Sequence, residues 1–260
     1  MNILKSNNPM LNKKAVAKTI ALDRDAKRRG GGPIIDTFQH MTVSGAVTKT
    51  LILTLIMLAI SFVSYQMPSR MLITVGALGS MGVYFLTSWK PHLSPITAPL
   101  YAVLQGLFVG AVSAVYAMSY AAMGYEGIVF QAVSATIASL LVMLMIYKSG
   151  LIKVTQKFRM VVSMLVGAIM IVYLISWVGS LSGSFEVPYL HESGAIGIGI
   201  TCFILVVAAL NLLLNFDSFE KGEEMQAPKH FEWYYGMGLL FTLVWMYTEF
   251  LRLLSKLQSD

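Results

Sequence analysis

Residues 195–216 read AIGIGITCFILVVAALNLLLNF, a run of apolar and small residues without one charged side chain. A helix of about 20 residues crosses the roughly 30 Å hydrocarbon core of a bilayer, so this run is long enough to span a membrane. Runs of this length lack the two-residue alternation of a membrane barrel strand. Comparable stretches recur after residue 45, at residues 47–65, 71–89, 96–118, 127–147, 160–181 and 234–254. The sequence therefore predicts an all-α, polytopic bundle of seven transmembrane helices.

The composition agrees with a membrane domain that takes up most of the chain. Hydrophobic residues make up 56% of the sequence and charged residues 12%, with a mean hydropathy of +0.68. An ordinary globular protein carries about 25% charged residues. Residues 1–44 form a basic segment without an apolar core, which is therefore not a cleavable signal peptide. We predict that residues 1–44 are a disordered leader and that residues 45–260 are the seven-helix domain.

The distribution of Lys and Arg predicts an orientation. With the amino terminus in the cytoplasm, 16 of these residues lie in the inside segments and three in the outside segments. Cytoplasmic segments of membrane proteins carry an excess of Lys and Arg. We therefore expect a multi-pass protein of the inner or plasma membrane, with a cytoplasmic amino terminus and, after seven spans, a carboxyl terminus outside.

Several classes of function are disfavoured by the sequence. The one cysteine, Cys202, excludes an intramolecular disulfide and dithiol chemistry. All four histidines lie outside the cores of the apolar stretches, and no H-E-x-x-H or G-x-S-x-G motif occurs. The net charge of +6 resides in the leader and the connections, where topology signals and anionic lipids explain it better than nucleic acid does. We expect neither an enzyme, nor a cofactor, nor a firm metal site, and the partner we expect is the lipid bilayer.

Polar groups at the end of the sixth stretch are the first functional candidates, because ionisable residues at membrane depth are costly and rare. Asn211 and Asn215 are four residues apart and share one helix face, and Asp217 follows at its cytoplasmic end. This face could hold a cation or a proton. Interhelical hydrogen bonds with a solvated carboxylate are an equally open interpretation. The acidic residues between Asp217 and Glu232 could likewise concentrate cations or form a solvated loop.

The seventh stretch contains a second acidic candidate, Glu249. Arg252 follows three residues later, so a same-face ion pair is the simpler interpretation. Glu249 lies 15 residues beyond Tyr234, or roughly 22 Å along the helix axis. That separation makes a direct pair with Asp217 implausible. We expect Glu232, just before the seventh stretch, to be the better partner of Asp217.

Three segments together resemble a known family. These are residues 215–220 (NFDSFE), 227–234 (APKHFEWY) and 238–254 (GLLFTLVWMYTEFLRLL), joined by residues 98–110 (APLYAVLQGLFVG). They resemble the Bax inhibitor, or transmembrane Bax inhibitor motif, family in its bacterial branch. The likeness covers most of the chain after residue 40. It implies a seven-helix bundle with the last helix central and a cytoplasmic amino terminus.

The resemblance also implies a pH-sensitive calcium leak, with Ca²⁺ as the transported ion. Family members are associated with two aspartates on the sixth and seventh helices that share a proton and gate a pore. Such a pair titrates as a coupled unit. Asp217 matches the sixth-helix aspartate, but the seventh-helix position falls on Thr242, which cannot ionise. Glu232 or Glu249 could substitute, and Lys90 resembles the basic residue that latches the acidic pair.

Two functions therefore remain open at the level of sequence. The first is a cation leak that is gated by protonation around Asp217 and that could pass calcium. The second is a membrane regulator that transports nothing and binds another membrane protein, such as a quality-control protease, through the basic leader or the glycine-lined helix faces. Deletion of residues 1–40 separates the two, because a leak survives the deletion and a partner-binding tail does not.

Overall fold

The computed structural model describes residues 40–182 and 194–258, without the side chains of residues 177, 178 and 180–182. The described part contains seven long helices, all apolar enough to cross a membrane. A 3₁₀ turn, Pro91–Leu93, precedes the third helix. The helices are α1 Val43–Gln66, α2 Arg70–Trp89, α3 Ser94–Ala121, α4 Ile128–Lys148, α5 Gln156–Ser182, α6 Ala195–Glu224 and α7 Phe231–Leu257. The prediction of a seven-helix bundle is confirmed.

The ends of these helices follow local sequence signals. Thr42 caps α1 by accepting a hydrogen bond from the backbone N–H of Gly45, and Ser69 caps α2 through the N–H of Leu72. Gly127, at φ +89°, immediately precedes α4 in the left-handed region that favours glycine. Capping thus fixes where α1 and α2 begin, independently of hydropathy.

Two helices reach beyond the apolar stretches that predict them. α6 continues to Glu224, so the expectation of a loop after Asp217 is wrong for residues 217–224. α7 begins at Phe231, which puts Glu232 in its first turn. Hydropathy marks where a helix leaves the apolar layer, whereas Glu and Lys are good helix formers and extend the helix into water. The acidic groups are therefore placed on helices rather than on a loop.

The first helix also starts earlier than expected. α1 begins at Val43, two residues inside the segment assigned to the leader, and Met41 is already buried. The remainder of the predicted leader, residues 1–39, lies outside the described residues, and its predicted disorder stays a prediction. The membrane domain therefore includes at least residues 41–44.

The seventh helix is central. α7 packs against α1, α3, α4 and α6, and 56% of its most apolar window is buried. α5 is peripheral. Only 6% of its most apolar stretch is buried, and α6 is its principal packing neighbour. Close approach of α1 to α3 depends on Gly110, where a Cβ would overlap the backbone of Ser61. The bundle thus surrounds α7 and holds α5 loosely at its edge.

Candidate functional site

Asp217 lies on the last two turns of α6 and is bound by two cations. Arg159, in the first turn of α5, donates from Nη2 to Asp217 Oδ2, and Lys221 Nζ donates to the same oxygen at 2.8 Å. Lys221 is one helical turn further along α6, whereas Arg159 comes from another helix. The Asp217 residue is only 8% exposed, so water compensates little of its charge. The Arg159 contact therefore fastens the start of α5 to α6.

The rest of the acidic end of α6 is fastened to two other helices. The hydroxyl of Tyr147, at the end of α4, donates to Glu220 Oε2 at 2.5 Å. The backbone N–H of Val43, at the start of α1, donates to Glu223 Oε1 at 3.3 Å. These carboxylates are exposed. They therefore act as surface acceptors that hold α1 and α4 beside α6.

Glu232 is buried to 1% exposure in the first turn of α7. Its Oε1 accepts the backbone N–H of Thr42 at 3.2 Å and lies 3.5 Å from the Thr42 hydroxyl, which donates to it. Gly45 leaves the space for this carboxylate, because a Cβ there would overlap it. Among the described residues no ion pair involves Glu232. It is a buried carboxylate with neutral donors.

A neutral polar cluster lies between these groups and the middle of the bundle. Asn211 and Asn215 donate from Nδ2 to Thr242 Oγ1 at 2.9 and 2.8 Å, and Thr242 donates to the carbonyl of Gly238. Thr242 is fully buried. In the described part of the chain, the side-chain oxygens of Asn211 and Asn215 accept no hydrogen bond. Amide oxygens of this kind are suitable ligands for Ca²⁺.

A second charged site lies near the other end of α7. Glu249 is 1% exposed and accepts two hydrogen bonds of 2.9 Å from Arg252 Nη1. The hydroxyl of Tyr173, on α5, donates to Glu249 Oε1 at 2.5 Å and accepts from Arg252 at 2.8 Å. Glu249 is 17 residues beyond Glu232, roughly 25 Å along the helix. The expected same-face ion pair is present, joined by a tyrosine that the sequence analysis missed.

The structure does not bring the sequence candidates into one acidic pair. The carboxylate of Asp217 binds Arg159 and Lys221, while that of Glu232 binds Thr42. Lys90 is exposed at the end of α2, and in the described residues it forms no ion pair. The cations that hold Asp217 are therefore not Lys90, the residue expected to act as the latch. In the sequence analysis Arg159 contributes only to the count of Lys and Arg, although its place at the start of α5 puts it level with the end of α6.

His230 lies in the short connection between α6 and α7. Its carbonyl accepts the hydroxyl of Ser94 at 2.6 Å, and its Nε2 is buried without a hydrogen bond among the described residues. Burial, and to a smaller degree the nearby His92, lower the pKa of His230 below its usual value of 6.5. The connection thus contains a histidine whose neutral form is favoured by burial.

Within residues 40–182 and 194–258, no group of three or more His, Cys, Asp or Glu side chains could hold a metal ion. The site is therefore a set of carboxylates with protein donors, arranged along α6 and α7.

A family model described as Bax inhibitor 1 like matches residues 8–259. No curated protein and no solved structure matches the chain significantly.

Proposed function

The chain belongs to the Bax inhibitor 1-like family, and from this membership and the polar row on α6 and α7 we propose that it is a proton-sensitive cation leak. It is a multi-pass membrane protein built as a helical bundle. In the proposal, Ca²⁺ is the transported ion and the Asp217 end faces the cytoplasm. The 16-to-3 distribution of Lys and Arg supports that orientation.

The observation that carries the proposal is the polar row itself. Asn211, Asn215 and Thr242 form one hydrogen-bonded cluster between α6 and α7, and the row of polar groups on α6 ends at Asp217. Polar residues inside a membrane bundle mark ion pathways by preference, because they are costly elsewhere. The amide oxygens of Asn211 and Asn215, which accept no hydrogen bond in the described residues, could serve as neutral ligands for a cation. They precede the carboxylate of Asp217 on the same helix.

The gate in this proposal is the contact between Arg159 and Asp217. α5 is the least buried helix, and this ion pair joins its first turn to α6 beside the apolar packing of Phe158. A proton on Asp217 removes the charge that binds Arg159. The first turn of α5 then separates from α6 and uncovers Asn215. Thr242 takes no part in the proton chemistry, because it cannot ionise and its hydroxyl is already bonded.

Calcium flux into liposomes between pH 6 and pH 8 tests the proposal. We expect the wild-type protein to pass calcium in a pH-dependent manner. Asp217→Asn and Arg159→Gln both remove the ion pair, so both should raise the flux and flatten its pH dependence. Arg70→Gln is the matched control, because Arg70 is exposed at the start of α2 and forms no ion pair in the described residues.

Absence of wild-type flux would refute the leak. A flux that Asp217→Asn leaves unchanged would refute the gate while retaining the leak. A rise with Arg70→Gln equal to that with Arg159→Gln would show that only surface charge matters. These outcomes separate the pathway from its proposed control.

A second candidate function is the regulator that binds another membrane protein. It is favoured by the place where the leader joins the bundle. The backbone N–H of Met41 donates to the carbonyl of Ala227 at 2.8 Å, and His40 Nδ1 lies 2.9 Å from the carbonyl of Gln226. A partner that pulls on the leader would therefore act directly on the connection between α6 and α7.

Truncation distinguishes the two candidates if it spares these contacts. Deletion of residues 1–38 removes most of the leader and leaves His40 and Met41 in place. A leak keeps its calcium flux after this deletion. If the protein is a regulator, the truncated and reconstituted protein no longer captures its membrane partner, although the thermal stability of the truncated protein is unchanged.

A further inference from the structure

A strap of four residues, 40–43, crosses the end of the hairpin that α6 and α7 form. The first two of these residues bond to the connection between the two helices. His40 Nδ1 lies 2.9 Å from the carbonyl of Gln226, and the N–H of Met41 donates to the carbonyl of Ala227 at 2.8 Å. The beginning of the strap is therefore fixed to the connection by its side chain and its backbone.

The other two residues of the strap bond to carboxylates of α6 and α7. The N–H of Thr42 donates to Glu232 Oε1 of α7 at 3.2 Å, and the N–H of Val43 donates to Glu223 Oε1 of α6 at 3.3 Å. Val43 is the first residue of α1, so both carboxylates lie at the end where the helix macrodipole is positive. The strap is thus fastened to both helices of the hairpin as well as to their connection.

The side chain of Met41 is the most deeply buried part of the strap, at 1% exposure. It lies against Gly222 of α6, where a Cβ would overlap both the Met41 sulfur and the ring of Tyr235. The ring centroid of Phe219 is 6.4 Å from that of Tyr235. Met41, Phe219 and Tyr235 thus form an apolar collar between the strap, α6 and α7.

The apolar collar lies next to the neutral cluster of Asn211, Asn215 and Thr242. Phe219 is four residues beyond Asn215 on α6, so the two share a helix face. Tyr235 is seven residues before Thr242 on α7, about two turns. Both steps lead towards the connection between the helices. The collar therefore separates the neutral cluster from that end of the bundle.

We propose that Met41 is a plug, which the strap holds in the apolar collar and which closes the end of the polar row between α6 and α7. An apolar constriction excludes water and so blocks ions. When the strap separates from the hairpin, Met41 leaves the collar and the pathway opens. The inference rests on the proposed leak and adds to the gate at Asp217 a second closure, and both must open for an ion to pass.

Two glycines of α6 provide a matched pair of variants. A Cβ at Gly222 would displace the flexible end of Met41, whereas among the described residues nothing lies within 4 Å of a Cβ at Gly199. Gly222→Ala should therefore push the plug out of the collar and raise calcium flux into liposomes severalfold, measured at the pH of highest wild-type flux. Gly199→Ala should leave the flux at the wild-type level.

Oxidation of methionine by hydrogen peroxide reports the position of the plug independently of flux. Met41 is 1% exposed and Met71 is 74% exposed. In the wild-type protein, mass spectrometry should therefore find Met41 oxidised severalfold more slowly than Met71. Gly222→Ala should remove most of this protection, and Gly199→Ala should retain it.

A reversible disulfide can hold the strap closed. His40 and Pro228 form an antiparallel β-bridge, in which the Cα atoms lie about 4.5–5.5 Å apart, a separation that a disulfide can span. The double variant His40→Cys, Pro228→Cys in a Cys202→Ser background should pass severalfold less calcium when oxidised than when reduced. His40→Cys alone in the same background is the control, and its flux should not respond to reductant.

Absence of flux from the wild-type protein and from every variant would refute the proposed leak and the plug with it. A wild-type leak that Met41→Ala leaves unchanged would overturn the plug alone, and if Met41→Ala does not fold, a disulfide without effect on flux does the same. Equal rises with Gly222→Ala and Gly199→Ala would also overturn it. So would a rise with Gly222→Ala while Met41 keeps its protection from oxidation.

Discussion

The two ends of α5 are fastened by different chemistry. At its first turn Arg159 forms an ion pair with Asp217 of α6, and the side chains are 31% and 11% exposed. Further along, Tyr173 donates a neutral hydroxyl to Glu249, whose charge is already met by Arg252 of the same helix α7. The first fastening therefore joins opposite charges on two helices, whereas at the second the charges belong to α7 alone. In the proposed gate, the Asp217 end is therefore the one that releases.

The largest effect is expected from breaking the buried pair at the second end. Arg252→Leu leaves Glu249 as an unpaired charge at 1% exposure, which should cost about 3 kcal/mol or more. The thermal unfolding temperature in detergent measures it. The double variant Glu249→Leu, Arg252→Leu removes both charges and should recover most of the loss. A double variant less stable than Arg252→Leu alone would contradict this account.

A smaller effect is expected at the first end. The pair of Arg159 and Asp217 is partly exposed, so its coupling free energy should be about 1–2 kcal/mol, between that of a surface pair and a buried one. A double-mutant cycle with Arg159→Gln and Asp217→Asn measures this coupling directly. Coupling as large as that between Glu249 and Arg252 would remove the contrast between the two ends.

The neutral cluster between the two ends should contribute about 1 kcal/mol, at the lower end of that range. Thr242→Val keeps the shape of the side chain but removes the acceptor for Asn211 and Asn215, at about 0.6 kcal/mol for each hydrogen bond lost in a membrane. Thermal unfolding again reports the change. Thr248→Val is the control, because its hydroxyl bonds only to the carbonyl of Trp245 on its own helix. Equal losses in both variants would argue against a shared cluster.

The smallest effect concerns the pH dependence of stability. The lowered pKa of His230 means that between this pKa and 6.5 the unfolded chain binds more protons than the folded one. Stability should therefore rise with pH through this window and be lost as pH falls below 6.5. His230→Gln should flatten the slope of unfolding temperature against pH. The same slope in the variant and the wild-type protein would exclude His230 as its source.

The sequence was sufficient for the number of helices and for the candidates that lie close together along the chain. Long apolar runs have one stable state in lipid, and the spacing of Glu249 and Arg252 is enough to predict their pair. The rarity of charges in the spans also pointed to Asp217. These features depend only on neighbours within one helix.

The partners across helices were not predictable. Arg159 and Asp217 are 58 residues apart, and Thr42 and Glu232 are 190 apart. Which residues meet depends on how each helix is rotated about its axis, and hydropathy contains no information on that rotation when a helix is apolar on all sides. The same lack of rotational information explains the assignment of Glu232 to Asp217, whereas the assignment of Lys90 to the latch rests on the family resemblance alone.

The contact of Thr42 with Glu232 has a consequence for how the protein is made. Thr42 is translated 190 residues before Glu232, and Met41 is likewise translated long before Ala227, so both donors are made well ahead of their acceptors. The first helix therefore waits in the membrane with these donors unpaired until the last helix has been inserted. Closure of this contact therefore requires that the start of the seventh helix is already in place.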